Sequence, residues 1–311
     1  MTVVIAGANS AVGLAILRCG PTHAPATTLI PAVRSDRAAE EIRQRTGLTD
    51  GIVRISYDDP GSLATAFRDA SAVIHLPGVL VERPGSSYEQ ANVETTRGVV
   101  DAATRAGVKK IVLVSAVGAS DTSPNRYWRT KGQAEALVRA SGLGYTVLRA
   151  PMVLGEGTEG AAALKRHASH PRATLIAGGR TLHQPLAVDD LARAALSATQ
   201  SSVAGNLTLD LVGPVTLTER DMVERAARHL GRDIRIRSVP KGWLSLLLAI
   251  RQLAGRPGLS RDALDVITAD TDLDTRPAIT ALGIQLTGID AMIQESLAGF
   301  SRHRSGPAPA H

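Results

Sequence analysis

The sequence predicts an α/β fold, a doubly wound parallel sheet with a smaller C-terminal lobe. Two observations point there. Short apolar runs alternate with amphipathic helical stretches through the first half of the 311-residue chain, the pattern of a parallel sheet covered on both faces. The first apolar run also ends in a glycine turn that opens directly into a helix, the βα unit on which such sheets are built.

Strands are expected at residues 3–6, 28–33, 53–56, 72–75, 110–115 and 146–149, with helices at 12–19, 36–45, 60–68, 88–106 and 127–141. Six strands joined by five crossovers make the doubly wound sheet. After Pro151 the rhythm breaks into the glycine-rich Gly155-Glu156-Gly157-Thr158-Glu159-Gly160, a short helix and a strand-like stretch at 173–177. This marks a second lobe, expected at 153–183 and 205–300, with 1–152 forming the core domain and 184–204 returning to it. In the returning piece, Asp189 and Asp190 stand at a helix start and read as caps for free backbone N–H groups. A strand at 206–211 and a helix at 218–230 follow. The tail from 301 to 311, rich in Arg, Gly, Pro and Ala, reads as disordered.

Composition excludes several classes of function. The formal charge is +6, but the arginines are scattered rather than gathered in one basic run, and two Trp, four Tyr and two Phe leave little for stacking on bases. Nucleic acid is therefore not the expected partner. One cysteine, Cys19, excludes an intrachain disulfide, and no Cys/His set has metal-ligand spacing. The chain opens on Thr2-Val3-Val4-Ile5-Ala6 without the charged and apolar regions of a signal peptide. The most apolar stretch, 240–250, is too short to span a bilayer, and reads as a buried helix, as the wall of a hydrophobic pocket or as a contact with a membrane surface. A cytoplasmic protein without an integral membrane segment, a monomer or homodimer, is the expectation.

The turn itself reads Gly7-Ala8-Asn9-Ser10-Ala11-Val12-Gly13. A glycine turn between a first strand and first helix lets backbone amides and the positive helix end approach a pyrophosphate. Gly7 makes the tight turn, Gly13 lets helix and strand pack closely, and the amides from Asn9 through Val12 are the candidate phosphate ligands. Strand two ends at Val33-Arg34-Ser35-Asp36-Arg37. An NAD site places a carboxylate at that end for the ribose 2′-hydroxyl, whereas a 2′-phosphate wants a cation. Arg34, with Arg37 beside it and no acid at 32–34, points to NADP(H) in preference to NAD(H); the alternative is a solvated arginine opening a helix.

Further along, Tyr127-Trp128-Arg129-Thr130-Lys131 opens a helix after strand five. Residues i and i+4 share a helix face, so the phenol and ammonium project together. The cation is expected to lower the phenol's pKa and ready it for proton exchange with a substrate hydroxyl or carbonyl.

These motifs resemble the short-chain dehydrogenases/reductases, in particular the extended and atypical branch that includes NmrA-like proteins and the complex I 39-kDa subunit. That superfamily has Gly-x-x-Gly-x-x-Gly at the turn; here Ser10 occupies the middle slot, small and able to donate to phosphate. The resemblance implies a Rossmann core, Tyr127 as acid/base and Lys131 as both pKa modifier and ligand of the nicotinamide ribose. It further implies adenine contacts near Ser56 and Tyr57, where relatives carry Asp in place of Ser56, and a loop against the adenine ribose at Leu76-Pro77-Gly78. Asn92 would steady the active-site helix, and Pro151-Met152-Val153 would lie along the nicotinamide. In many extended enzymes a Ser or Thr that bonds the reacting oxygen sits where this chain has Val117; Ser115 matches the first serine of that signature and is the candidate donor, with Ser120, Thr122 and Ser123 as alternatives. His75 reads as a packed strand-end residue, and His183 is not expected to face substrate.

The resulting expectation is an NADP(H)-dependent oxidoreductase acting on a carbonyl or secondary alcohol of a small hydrophobic molecule. Two alternatives stay open. Members of the atypical branch can bind NADPH without turning it over, as sensors or assembly proteins, and an epimerase or dehydratase would use the same bound cofactor.

Overall fold

In a computed structural model, residues 1–200, 202–203, 205–253 and 259–301 are described; apart from Ser301, the tail expected to be disordered lies outside them. The first half alternates β1 (Thr2–Ala6), α1 (Ala11–His23), β2 (Thr28–Val33), α2 (Asp36–Thr46), β3 (Val53–Arg54), α3 (Pro60–Phe67) and β4 (Ala72–His75). A π-helical turn, Glu89–Glu94, runs into α4 (Thr95–Arg105), followed by β5 (Lys110–Ala116), α5 (Arg126–Arg139) and β6 (Gly144–Ala150). Beyond it come β7 (Val153–Leu154), α6 (Glu159–Ala168), β8 (Arg172–Ile176), β9 (Leu182–His183), β10 (Leu186–Ala187) and α7 (Val188–Thr199). The described chain continues through β11 (Leu207–Asp210), β12 (Leu217–Thr218), α8 (Glu219–His229), β13 (Arg235–Val239), α9 (Lys241–Leu253), α10 (Arg261–Ile267), α11 (Arg276–Leu282) and α12 (Ile289–Ser301).

The main sheet has the order β11-β6-β5-β4-β1-β2-β3, and every pairing in it is parallel. This is the expected doubly wound fold with one strand more: β11, expected in the C-terminal lobe, instead extends the sheet beside β6. Period-two alternation splits the sheet's core. Val3 and Ile5 face Leu14, Ile16, Leu191 and Leu196 on one side, while Val4 and Ala6 face Leu63, Phe67, Val99 and Val138 on the other. Helix α7 packs directly on α1. A third apolar cluster, including Leu164, Leu175, Met222, Ala226, Met292 and Ile293, is built from α6, β8, α8 and α12.

Three local expectations are corrected. The helix at 88–106 is not continuous, because its first turn is π-helical around the buried Asn92. The cap reading of Asp189 and Asp190 fails: α7 has no side-chain cap bond. Asp189 instead pairs with Arg18 at 3.4 Å, and the fully buried Asp190 accepts from the Thr287 amide and hydroxyl, each at 2.7 Å, while ion-paired with Arg193. The apolar stretch at 240–250 does form a helix, but not a buried one. Trp243 is 74% exposed and Leu246 57%, while Leu248 is buried.

Candidate functional site

At the end of β1 the chain turns through Gly7, whose φ of +85° lies in the left-handed region that a side chain strains. The Gly7 and Ala8 amides both donate to Ala32 O, at 3.1 and 3.3 Å, fixing the turn against β2. Ser10 caps α1, its Oγ accepting from the Gly13 amide at 3.1 Å, which leaves the hydroxyl proton free to donate. A Cβ on Gly13 would stand 2.4 Å from Ala8 O, so the first turn of the helix packs tightly on the turn itself, where a helix-to-strand approach was expected. Ala11 and Val12 open the helix, whose first-turn amides have no intrahelical acceptor and so favour an anion. Asn9 reaches Glu41 with its side chain at 3.5 Å.

In front of this turn lies a cleft of about 930 Å³ at the carboxyl ends of β1, β2, β3 and β4, within the usual range for ligand pockets. Gly7, Asn9, Ser10, Arg34, Ser56 and Tyr57 line it, as do Leu76, Pro77 and Gly78. Burial pushes the Tyr57 phenol up, and the charge of Arg34 pulls it partly back. Arg37 is not in the lining; it is exposed in the first turn of α2. The lining cation that sequence reasoning missed is Arg54. Its only signal was a basic residue near the end of strand three, which means nothing until β3 is laid beside β2.

The catalytic side begins at the capped start of α5. Asn125 Oδ1 accepts from the amides of Tyr127 and Trp128 at 3.0 and 3.3 Å, and the helix then carries Lys131 one turn beyond Tyr127. The Tyr127 ring meets Tyr88 edge-on, with centroids 5.7 Å apart. Contrary to expectation, the phenol is raised, not lowered: burial is the main cause and Tyr88 adds to it. Lys131 is buried, and burial pulls its ammonium down to about 8 against the opposing pull of Glu135. Its Nζ lies 3.4 Å from Val114 O.

Lys131 meets the cleft at Gly78. A Cβ there would stand 2.6 Å from Lys131 Nζ and 3.1 Å from Asn92 Oδ1, so only glycine leaves room between these two groups and a ligand. Asn92 donates from Nδ2 to Thr130 Oγ1 at 2.9 Å, but its buried Oδ1 has no hydrogen-bond partner. A buried, unpaired carbonyl oxygen is costly, and one that shares with an ammonium the space behind Gly78 of the cleft fits a ribose hydroxyl as its missing donor. The residues present thus fit a bound nicotinamide nucleotide.

Ser115 is corrected. Its buried Oγ lies 2.7 Å from Glu135 Oε1, and Glu135 is also held by Arg149 at 2.9 and 2.7 Å and by Arg139 at 3.0 Å. The hydroxyl ties β5 to α5 and is not offered to the cleft. At Val117 the backbone carbonyl accepts from Trp128 Nε1 at 2.9 Å. Ser120 and Thr122 bond each other at 3.1 Å. Pro151, Met152 and Val153 follow β6 without lining the cleft; Met152 O accepts from the Leu186 amide at 3.0 Å, and Val153 pairs with Leu186. His75 is fully buried, its Nε2 3.0 Å from Thr96 Oγ1, and His183 is buried in β9.

A parallel doubly wound sheet, a glycine turn feeding the first helix and a cleft at the strands' carboxyl ends together define a Rossmann-type nucleotide-binding protein. Residues 7–180 match the family described as NAD(P)H-binding, and the chain belongs to that family. It is 30% identical over 183 residues to subunit 9 of the NADH dehydrogenase [ubiquinone] 1 alpha subcomplex of Arabidopsis thaliana, covering 56% of this chain and 44% of the subunit. It is 24% identical over 181 residues to a ceramide reductase of Caulobacter vibrioides, covering 58% of this chain and 57% of the reductase. The chain thus spans about half the length of these relatives. The triphenylmethane reductase of Citrobacter sp., solved with NADP(H), superposes with a TM-score of 0.72 at 20% identity, over 95% of this chain and 100% of the reductase. Structures sharing the fold hold NAD in some cases and NADP(H) in others. These likenesses fit the atypical short-chain dehydrogenase/reductase branch. Among the described residues no helix is long and apolar enough to cross a membrane.

Proposed function

We propose that the protein is an NADP(H)-dependent oxidoreductase acting on a carbonyl or secondary alcohol of a small hydrophobic molecule, and that it works in the direction of reduction. The observation that carries this reading is Tyr127 at the start of α5 with Lys131 one turn on, its Nζ beside Gly78 of the nucleotide cleft. NADPH would be held by the turn from Gly7 to Gly13, by Arg34 at its 2′-phosphate and by Lys131 and Asn92 at its nicotinamide ribose, and when bound it supplies the hydride. Tyr127 donates a proton to the carbonyl oxygen. Burial raises its phenol, so the proton sits on the oxygen at neutral pH and is there to be given to a carbonyl. Lys131, brought to about 8 by burial, remains mostly charged at pH 7. The ceramide reductase among the relatives is consistent with a hydrophobic substrate.

A second reading, NADPH binding without turnover, is favoured by one observation. With Ser115 spent on Glu135 and Val117 in the usual donor slot, no serine or threonine of that signature is offered to the reacting oxygen. Replacing Tyr127 with Phe decides between them. NADPH affinity should stay within about twofold while turnover of hydrophobic ketones and enones falls by roughly 10²–10⁴, the usual worth of a positioned acid/base. Full activity of Tyr127→Phe would overturn the mechanism; tight NADPH binding with no turnover of any carbonyl by the wild type would establish the second reading.

A further inference from the structure

We propose that Arg54 is a second ligand of the cofactor's 2′-phosphate and that Asp36, which holds Arg54 in the absence of that phosphate, sets how strongly the protein selects NADP(H) over NAD(H). This rests on the reading of the cleft as an NADP(H) site and extends it to two residues that the glycine turn and Arg34 do not implicate. The argument starts from register. Val33 of β2 pairs with Arg54 of β3, so Arg54 stands beside the strand end that carries Arg34, one strand spacing of about 4.8 Å away. Both arginines line the same cleft, together with Ser35.

Ser35 caps α2, its Oγ accepting from the Ala38 amide at 3.2 Å. The helix start therefore faces the same cleft as the two arginines and adds its own positive end to their charge. Among the described residues Arg34 has no ion pair. Arg54 has one, its Nη1 lying 3.2 and 3.0 Å from the two carboxylate oxygens of Asp36. That pair is open to water, with Arg54 67% and Asp36 86% exposed, and an exposed pair is held weakly. A phosphate dianion between Arg34 and Arg54, at a helix start, is the stronger partner for a guanidinium fork. A dinucleotide with only a 2′-hydroxyl offers no such charge, and Arg54 then keeps Asp36. Selection comes from this exchange, with Asp36 competing for the cation that the phosphate needs.

Calorimetric titration of the 311-residue chain with NADPH, NADH, adenosine 2′,5′-bisphosphate and adenosine 5′-monophosphate tests the proposal. Arg54→Ala should weaken NADPH and the bisphosphate about tenfold and leave NADH and the monophosphate within twofold. Asp36→Asn should strengthen NADPH and the bisphosphate severalfold with the same indifference to the other two. Both side chains are exposed, so neither change should alter the melting temperature of the free protein, which is measured alongside. If the wild type binds NADPH but Arg54→Ala binds it equally well, the proposal is wrong while the nucleotide site stands. If the wild type binds none of the four, the nucleotide reading falls and the proposal with it.

Discussion

His75 shows how one buried side chain can govern the pH response of the fold. It is fully buried on β4, with Nε2 on Thr96 and with Nδ1 lacking a hydrogen-bond partner. Burial first, and the nearby charge of Lys131 second, lower its pKa from 6.5 to about 3. Between those values the unfolded chain binds the proton and the folded chain does not, so stability is complete above pH 6.5 and falls as the pH drops toward 3. One residue contributes roughly 3–5 kcal/mol to that loss. His75→Gln should flatten the acid limb of stability against pH, measured by urea unfolding from pH 7 to 3.5. An unchanged limb would show that the carboxylates alone produce it. The sequence revealed His75 as a packed strand-end residue, because it closes an apolar run. It could not reveal Ser115 as a tether: a serine after an apolar strand reads the same whether its hydroxyl meets a substrate or a carboxylate two helical turns beyond Tyr127. Arg37 and Arg54 teach the same lesson for the cleft, since neighbours in the chain diverge while strands far apart converge.

Among the elements, those with strong periodicity were legible and those defined by their partners were not. The first two strands end in the structure where their apolar runs end, and α2 stops at Gly47, a left-handed residue suited to helix ends. The strand at 207–210 was equally visible, but its place at the edge of the main sheet depends on pairing with β6, which no local pattern encodes. Nor could local reading tell which side of α9 meets the protein, and the exposed Trp243 and Leu246 contradict its reading as core. Asp190 is the clearest case. Two acids at a helix start look like caps, yet Asp190 instead fastens α7 to the segment before α12 through Thr287. Asp190→Ala leaves the partly buried Arg193 and the Thr287 amide without their carboxylate, and should cost about 3–5 kcal/mol of stability, the usual penalty for breaking a buried charged network. Urea unfolding measures it, and a loss under about 1 kcal/mol would show that the contact is incidental.

At the scale of the whole molecule, a ligand seated in the cleft bridges the turn after β1 and the ends of β2, β3 and β4, and meets at Gly78 the residue that Lys131 crowds. Binding to the folded state alone adds stability by mass action, about 2.7 kcal/mol at a hundredfold excess over Kd. For a chain of this length that should raise Tm by roughly 5 °C. NADPH should produce the rise, and a scan at the same saturation showing none would place the nucleotide elsewhere. The sequence by itself determined the parallel sheet, the glycine turn, the α5 pair of Tyr127 and Lys131 and the cation at the end of β2, because each is written in local periodicity, in conformations only glycine adopts comfortably, or in spacing along one helix. Tertiary structure alone decided that Ser115 serves Glu135, that Arg54 stands beside Arg34, that Asp190 joins α7 to Thr287 and that the Tyr127 phenol is raised by burial. The physical reason is that hydrogen-bond partners, neighbouring charges and burial are set by what packs against a side chain, and that packing comes from residues 18 to 97 positions away or from the accumulated burial of the whole core.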